Sequence, residues 1–340
     1  MPDRYDAVLI VGFGGPEGPD DVIPFLENVL RGKQVPRERM LAVADHYQHF
    51  GGVSPINEQV RALIAALVAR LNESGPRLPV YWGNRNWHPM LADTLAEMRD
   101  DGIGRAIALV LSAYSSYSGC RQYREDIVRA QQEVGEGAPA VDKIRVFYNH
   151  PLFIDVWVER LQAALDKIPA PRRAAAEIVF CAHSIPAGMA AGCKYEEQLR
   201  ETARLIGEAA GRTAWKLVYQ SRSGPPTQPW LEPDVCDYLR ELHAAKQPTD
   251  VVVAPIGFLS DHIEVLYDLD TEAQAVCGEL GMHLVRVATP HTHPKMIEMF
   301  RLLIEERVAG STERKAVGQF GPSHDVCPDD CCPSGRPARG

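Results

Sequence analysis

A histidine and a row of three acids are the residues whose types and spacing best suit chemistry on a metal. His183 stands at the end of the apolar run AEIVFCAHS, and Pro186 then forces the chain out of the predicted strand. In GFLSDHIEVLYDLDTEA, Glu264, Asp268 and Glu272 recur every four residues. Because an α-helix has about 3.6 residues per turn, this spacing puts the three carboxylates on one face of a helix.

Two interpretations remain open for each of these features. His183 can act as a general base or metal ligand, or it can be a strand-terminal histidine whose ring bonds to backbone. Glu264 alone is explained by a capping box, because it stands three residues after Asp261. The whole row can be a path for cations or protons, or a merely solvated acidic face.

Three of the eight cysteines lie close together near the end of the sequence, in HDVCPDDCCPSG. Cys327, Cys331 and Cys332 follow a C-x₃-C-C spacing in a segment rich in Pro and Gly. These thiols can be ligands of zinc, ligands of an iron–sulfur cluster, or reactive thiols without a ligand. A four-thiolate site needs one more cysteine, and the candidates are Cys120, Cys181, Cys193, Cys236 and Cys277.

Composition excludes several classes of protein. The 340 residues carry a net charge of −9, with 45% hydrophobic and 24% charged residues, so nucleic acid is not an expected partner. No run of about 18 apolar residues predicts a transmembrane segment. The first residues, MPDRYDAVLIVGFGG, do not fit a signal peptide, so we expect a cytoplasmic protein with reduced or metal-bound cysteines.

The elements that must position these residues are eight short apolar runs alternating with amphipathic helical stretches. This alternation predicts parallel sheets covered on both faces, and the ligand site of such sheets lies beyond the carboxyl ends of the strands. Four runs precede residue 149 and four follow it. The predicted strands cover residues 7–13, 79–83, 106–114, 144–148, 176–184, 215–221, 250–258 and 282–289.

The same division predicts the domains. We expect an N-terminal α/β domain at 1–149, a C-terminal α/β domain at 150–316, and a tail at 317–340. Aromatic and small polar residues follow many of the predicted strands, which suits a large flat ligand with anions at its rim.

Six stretches of the sequence together resemble the ferrochelatase family. They are GFGGPEG, FGGVSPIN, GNRNWHP, AHSIP, YQSRSGPPTQPWLEPDV and GFLSDHIEVLYDLD, and the resemblance runs to about residue 310. It implies two similar Rossmann-like domains, each with a four-stranded parallel sheet flanked by helices, and Fe²⁺ insertion into a porphyrin. The N-terminal half is similar to the actinobacterial branch, which implies coproporphyrin III as substrate and coproheme as product, with protoporphyrin IX as the alternative.

The resemblance also implies roles for the acids and the histidine. His183 and Glu264 would lie near the bound metal, as metal ligands or proton acceptors. Asp268 and Glu272 would extend a path for metal or protons. Which of His183 and Glu264 removes the protons and which delivers the metal stays open.

Three further positions match the substrate-binding residues of the family. Ser54 and Tyr123 match the positions that contact the propionates. Phe13 replaces a tyrosine of the related Firmicute enzymes, so it brings no oxygen to the metal. His46 replaces an arginine of those relatives, which leaves the propionate contacts at that part of the rim open.

Some ferrochelatases hold a [2Fe–2S] cluster with one internal cysteine and three from a C-terminal extension. Cys120 matches the internal position, so the resemblance implies Cys120, Cys327, Cys331 and Cys332 as the cluster ligands. It also implies a coproheme decarboxylase as the downstream partner.

Two other classes of protein can be weighed against a chelatase. A metal-binding receptor would share the His/Glu pair, although an export signal would be expected for it. An iron–sulfur electron carrier would explain the tail, but it would leave His183 and the row of acids without a purpose.

Overall fold

The computed structural model describes residues 4–33, 35–225 and 227–335 as two four-stranded sheets with helices on both faces. Every pair of neighbouring strands is parallel, and the strand orders are β2-β1-β3-β4 and β6-β5-β7-β8. The predicted fold class is thereby confirmed. The strands are β1 (Ala7–Gly12), β2 (Val80–Asn84), β3 (Arg105–Val110), β4 (Ala140–Lys143), β5 (Glu177–His183), β6 (Lys216–Gln220), β7 (Asp250–Ala254) and β8 (His283–Arg286).

Helices fill the intervals between the strands. Two segments depart from α-helical geometry and form π-helical turns, Tyr117–Arg121 and Leu266–Ala273. The helices are α1 (Val22–Leu30), α2 (Arg37–His49), α3 (Ile56–Ser74), α4 (Leu91–Asp100), α5 (Gln122–Val134), α6 (Pro151–Leu165), α7 (Ala170–Arg173), α8 (Ala187–Ala191), α9 (Tyr195–Ala209), α10 (Val235–Lys246), α11 (Ile263–Val265), α12 (Gln274–Glu279) and α13 (Pro294–Val308). Among the described residues, no helix is both long and apolar enough to cross a membrane.

The two faces of each sheet belong to different apolar cores. In β1, Leu9 packs with residues of α4 and α5, whereas Ile10 points to the opposite face. In β5, Val179 packs with α10 and α12, whereas Phe180 points the other way. Successive residues of a strand point to opposite faces, so two covered faces require the continuous apolar runs seen in the sequence.

One large apolar core joins the two halves of the molecule. It contains Ile10 of the first sheet, Phe180 of the second and Phe300 of α13. Helix α13 packs against α3 and α6, so the C-terminal half contacts the N-terminal half over a helix of 15 residues. The domain boundaries at 149–150 and 316–317 stay predictions.

The fourth strand does not lie where the sequence predicted it. Residues 144–148 form no strand; β4 is the preceding, more polar segment Ala140–Lys143. The ladder to β3 ends just beyond it, with the N–H of Ile144 donating to the carbonyl of Ala108 (2.9 Å). The apolar run IRVFY is buried in the shared core instead, so its hydrophobicity reflects burial rather than strand pairing.

The described part of the tail runs back over the molecule. Asn149, at the junction of the halves, donates to the carbonyls of Val317 (3.2 Å) and Gly321 (2.7 Å). Arg124 of α5 donates to three carbonyls of the tail, those of Cys327, Pro328 and Asp329. These bonds hold the last described residues beside the π-helical turn that carries Cys120.

Candidate active site and cysteine cluster

His183 and Glu264 face each other at the carboxyl end of the second sheet. His183 is the last residue of β5, and its Nε2 lies 3.5 Å from Oε2 of Glu264. The Nδ1 of His183 donates to the carbonyl of Ser184, and Tyr195 donates to the carbonyl of His183 (3.0 Å). Because a carbonyl only accepts, Nδ1 carries a hydrogen, and Nε2 is the ring nitrogen that faces Glu264.

Both side chains remain open to a ligand. The His183 side chain is 34% exposed and that of Glu264 is 44% exposed. An imidazole nitrogen and a carboxylate in this arrangement can accept protons or bind a divalent cation such as Fe²⁺. The structure thus brings together the two residues that the sequence analysis placed at the metal.

The row of acids continues into a π-helical segment rather than a regular α-helix. Glu264 lies in α11, which His262 caps by accepting from the N–H of Val265 (3.4 Å). Asp268 and Glu272 lie in the π-helical segment Leu266–Ala273. The i→i+5 bonding of a π-helix widens the turn, so the spacing of four residues no longer follows the geometry predicted for an α-helix. Such segments occur frequently at functional sites.

Residues at the end of β6 hydrogen-bond to the carboxylate of Asp268. Its Oδ2 accepts from the Nε2 of Gln220 (3.1 Å) and from the hydroxyl of Ser221. The same Gln220 amide donates to the carbonyl of Glu264 (3.1 Å). Burial raises the pKa of the Asp268 carboxyl to about 7, and the carboxylates of Glu264 and Glu272 act in the same direction. A carboxyl with a pKa in this range can take up and release protons at neutral pH.

Arg286 neutralises two further acids near the row. Its guanidinium bonds to Asp270 (2.6 Å) and Asp261 (3.0 Å). Glu272 instead lies near Asp234, and burial together with that second carboxylate raises the pKa of Glu272. Within the row, the carboxylates of Glu264 and Glu272 therefore lie close enough to disfavour the ionisation of Asp268, which a cation would relieve.

Phe13 contributes an aromatic wall from the first half of the molecule. It follows β1, is 36% exposed and packs edge-on against Phe25 (6.2 Å between ring centroids). Phe25 belongs to a cluster with Tyr47 and with Ile263, the neighbour of Glu264. This cluster connects the end of the first sheet to the acidic segment of the second half.

Ser54 and Tyr123 are placed differently, because both are buried. Ser54 is 4% exposed and its N–H donates to the carbonyl of Pro16 (2.8 Å). Tyr123 is 5% exposed, with the guanidinium carbon of Arg85 4.6 Å from its ring centroid. Their contact with propionates stays a prediction.

The four predicted cluster cysteines line one pocket. They form two close pairs, with 4.0 Å between the sulfurs of Cys120 and Cys327 and 3.4 Å between those of Cys331 and Cys332. The hydrogen bond from Cys327, together with the Lys143 ammonium, lowers the pKa of the Cys120 thiol. A lowered pKa favours the thiolate, which is the form that binds metal.

Several residues of these two sites were not identified from the sequence. Gln220 is the last residue of β6 and Ser221 follows it in the quoted motif YQSRSGPP, so their position at a strand end was the available signal. His324 lies 4.0 Å from the sulfur of Cys331. Its position three residues before Cys327 was the available signal. Arg124 gave no sequence signal, because its partners are backbone carbonyls.

Two solved structures of metal chelatases have a similar fold. SirB from Bacillus subtilis with Fe³⁺ has a TM-score of 0.56 and 13% identity, covering 90% of this chain and 97% of that one. A second SirB structure, described as a sirohydrochlorin chelatase in complex with cobalt, has a TM-score of 0.51 and 12% identity over the same shares. These likenesses show that the two parallel sheets form a fold that these chelatases share.

The sequence comparisons then give the family. A family model described as ferrochelatase matches residues 5–308. A ferrochelatase from Rhodopirellula baltica is 57% identical over 329 residues, covering 96% of this chain and 93% of its own. A coproporphyrin III ferrochelatase from Streptomyces coelicolor is 50% identical over 364 residues, covering 99% and 97%. The chain belongs to the ferrochelatase family, enzymes that insert Fe²⁺ into a porphyrin, so the receptor and electron-carrier alternatives are set aside.

Proposed function

We propose that the chain inserts Fe²⁺ into coproporphyrin III to give coproheme, with His183, Glu264 and Asp268 as the working residues. The observation that carries this proposal is the Nε2 of His183 directed at Glu264 across 3.5 Å, both side chains being open to a ligand. The substrate choice is supported by relatives named coproporphyrin III ferrochelatase that match over nearly their full length. Protoporphyrin IX is the alternative, since the relative from Rhodopirellula baltica is named simply ferrochelatase.

The reaction is redox-neutral, and its balance sets the tasks of the residues. Fe²⁺ forms four bonds to the ring nitrogens, while two N–H bonds break and two protons leave. One of His183 and Glu264 accepts the protons from the ring nitrogens, and the other guides the metal to them. Asp268 and Glu272 then carry protons out or cations in, because their neighbouring carboxylates favour uptake of positive charge.

The direct test uses the purified protein without oxygen. Coproporphyrin III and Fe²⁺ should give the absorbance bands of coproheme, and protoporphyrin IX run in parallel should turn over more slowly. His183→Ala and Glu264→Gln should each lower kcat by about 100-fold or more, the range typical of losing an acid or base. Full turnover by either variant would remove that residue from the mechanism, and inertness toward both porphyrins would refute the chelatase function.

We further propose that Cys120, Cys327, Cys331 and Cys332 hold a [2Fe–2S] cluster. The two sulfur pairs support this, since each iron of such a cluster takes two thiolates besides the two bridging sulfides. The pocket is also lined by Arg121, Arg124 and Lys143, whose charges offset an anionic centre. When bound, the cluster supplies a crosslink between the tail and the π-helical turn of Cys120.

Cys120→Ser tests the cluster with a readout independent of turnover. The variant should lose the brown colour, the visible absorption and about two irons per chain after anaerobic reconstitution. Cys181→Ser is the matched control, because Cys181 is buried in β5 and should leave the iron content unchanged. Wild-type iron and sulfide content in Cys120→Ser would exclude Cys120 as a ligand.

A further inference from the structure

The tail contains a second set of metal ligands that overlaps the cysteine pairs. A ligand nitrogen of His324 and the sulfurs of Cys327 and Cys331 all lie within 4.8 Å of one another. The Nε2 of His324 lies 4.0 Å from the sulfur of Cys331. Among the residues that the structure describes, this is the one group of His, Cys, Asp or Glu side chains gathered so closely.

These distances fit a single ion. Zinc binds cysteine sulfur at about 2.3 Å and histidine nitrogen at about 2.0–2.1 Å, so two of its ligands stand about 3.5–3.8 Å apart at the tetrahedral angle. His324 and Cys331, at 4.0 Å, are already close to this separation, and a pair at the 4.8 Å limit would close by about 1 Å on binding the ion. Cys332, whose sulfur is 3.4 Å from that of Cys331, or a water can complete a tetrahedron.

We propose that His324, Cys327 and Cys331 form a mononuclear site for a thiophilic divalent cation such as Zn²⁺, in competition with the iron–sulfur cluster. The two sites share Cys327 and Cys331, so one chain holds either the single ion or the cluster. They differ in the third ligand, which is His324 for the single ion and Cys120 for the cluster.

Chain connectivity favours the single ion whenever the tail is not docked. His324, Cys327 and Cys331 lie within eight residues of one another, whereas Cys120 precedes Cys327 by 207 residues. Closing a short loop costs less conformational entropy than bringing distant segments together. His324 is also exposed and Cys327 and Cys331 are half-buried, so an ion reaches them without displacing the core.

Electrostatics favours the cluster once the tail is docked. Two thiolates and a neutral imidazole balance the charge of a divalent ion, so the mononuclear site needs no further cations. Four thiolates on a cluster leave an anionic centre, which gains from Arg121, Arg124 and Lys143 around the docked pocket. Docking of the tail thus selects between the two occupants.

The test is a titration of the full-length, reduced, cluster-free protein with Co²⁺ under anaerobic conditions. We expect one Co²⁺ per chain with sulfur-to-cobalt charge-transfer absorption, and Zn²⁺ should displace it. His324→Ala should weaken binding by about tenfold or more, since loss of even an indirect partner of a metal ligand costs 10–100-fold. Cobalt bound at His183 and Glu264 adds nothing to this absorption, because that site has no sulfur.

Two variants separate the mononuclear site from the cluster. Cys120→Ser should bind Co²⁺ as tightly as the wild type but fail to assemble the cluster, and His324→Ala should show the reverse. Zn²⁺ bound beforehand should block reconstitution in the wild type and much less in His324→Ala. Equal Co²⁺ affinity in His324→Ala and the wild type, or equal losses in the two variants, would overturn the proposal while leaving the chelatase function untouched.

Discussion

The side chain of Gln220 decides how two acids of the active site are held. One amide group of this buried residue donates to the carbonyl of Glu264 and to the carboxylate of Asp268. It acts through those acids rather than on the substrate, so it is a positioning residue. Ser221 assists it from a left-handed backbone conformation (φ 61°), which is uncommon for serine.

Gln220→Leu should raise KM for Fe²⁺ more than KM for the porphyrin. The substitution leaves a buried carbonyl and a carboxylate short of donors, which costs about 1–3 kcal/mol of folding stability. We expect KM for Fe²⁺ to rise several-fold with KM for the porphyrin nearly unchanged, measured by initial rates at varied Fe²⁺. Gln247→Leu, at the exposed end of α10, controls for the substitution itself. Equal changes in both KM values would indicate a general structural defect.

At the same scale, the sequence predicted residue types better than contacts. His183 could be predicted because it ends an apolar run, and Glu264 because the acids recur every four residues. The burial of Ser54 and Tyr123 and the stacking of His46 on Tyr267 (3.7 Å between ring centroids) depend on segments distant in sequence. A local pattern carries no signal for such packing.

Among the elements, the π-helical segment Leu266–Ala273 is the part that pattern analysis could not foresee. The recurrence of Glu264, Asp268 and Glu272 predicts a helical face, and the segment is helical. The segment also makes tertiary contacts that a local pattern does not encode, the bonds of Gln220 and Ser221 to Asp268. The misplaced fourth strand has a similar cause, because burial in the shared core mimics the composition of a strand.

The cap of α6 makes the stability of the fold depend on pH. His150 accepts from the N–H of Leu152 (3.2 Å), and burial lowers the pKa of its imidazole to about 3, with Arg145 acting in the same direction. The unfolded chain protonates this ring below about pH 6.5. The unfolded state therefore binds more protons as the pH falls, and the folded state loses up to about 1.4 kcal/mol per pH unit below 6.5.

His150→Asn should flatten this dependence. Asparagine caps a helix equally well but does not titrate, so the loss of stability between pH 6.5 and 5 should shrink by up to about 2 kcal/mol. Urea unfolding at the two pH values measures the difference, with His49→Asn as an exposed-histidine control. An unchanged pH dependence in His150→Asn would show that other groups cause it.

Over the whole molecule, Arg124 is one of the polar links between the first half and the tail. Its three bonds to tail carbonyls contribute about 1–3 kcal/mol to docking. Arg124→Ala should therefore speed proteolytic cleavage near residues 327–332 roughly tenfold in the cluster-free protein. Arg129→Ala is the control on the same helix, because Arg129 bonds to Asp126 instead. Equal cleavage rates would mean that the tail docks without Arg124.

The core shared by the two sheets also determines how the molecule unfolds. Ile10 and Phe180 lie in one apolar cluster, and α13 closes it from the second half onto the first. A cut at the predicted boundary would leave each fragment with a large apolar face in water, at a cost of about 25 cal/mol per Å². We therefore expect the two halves to unfold together in one cooperative transition. Calorimetry should record a single peak, with no separate melting transition for either half.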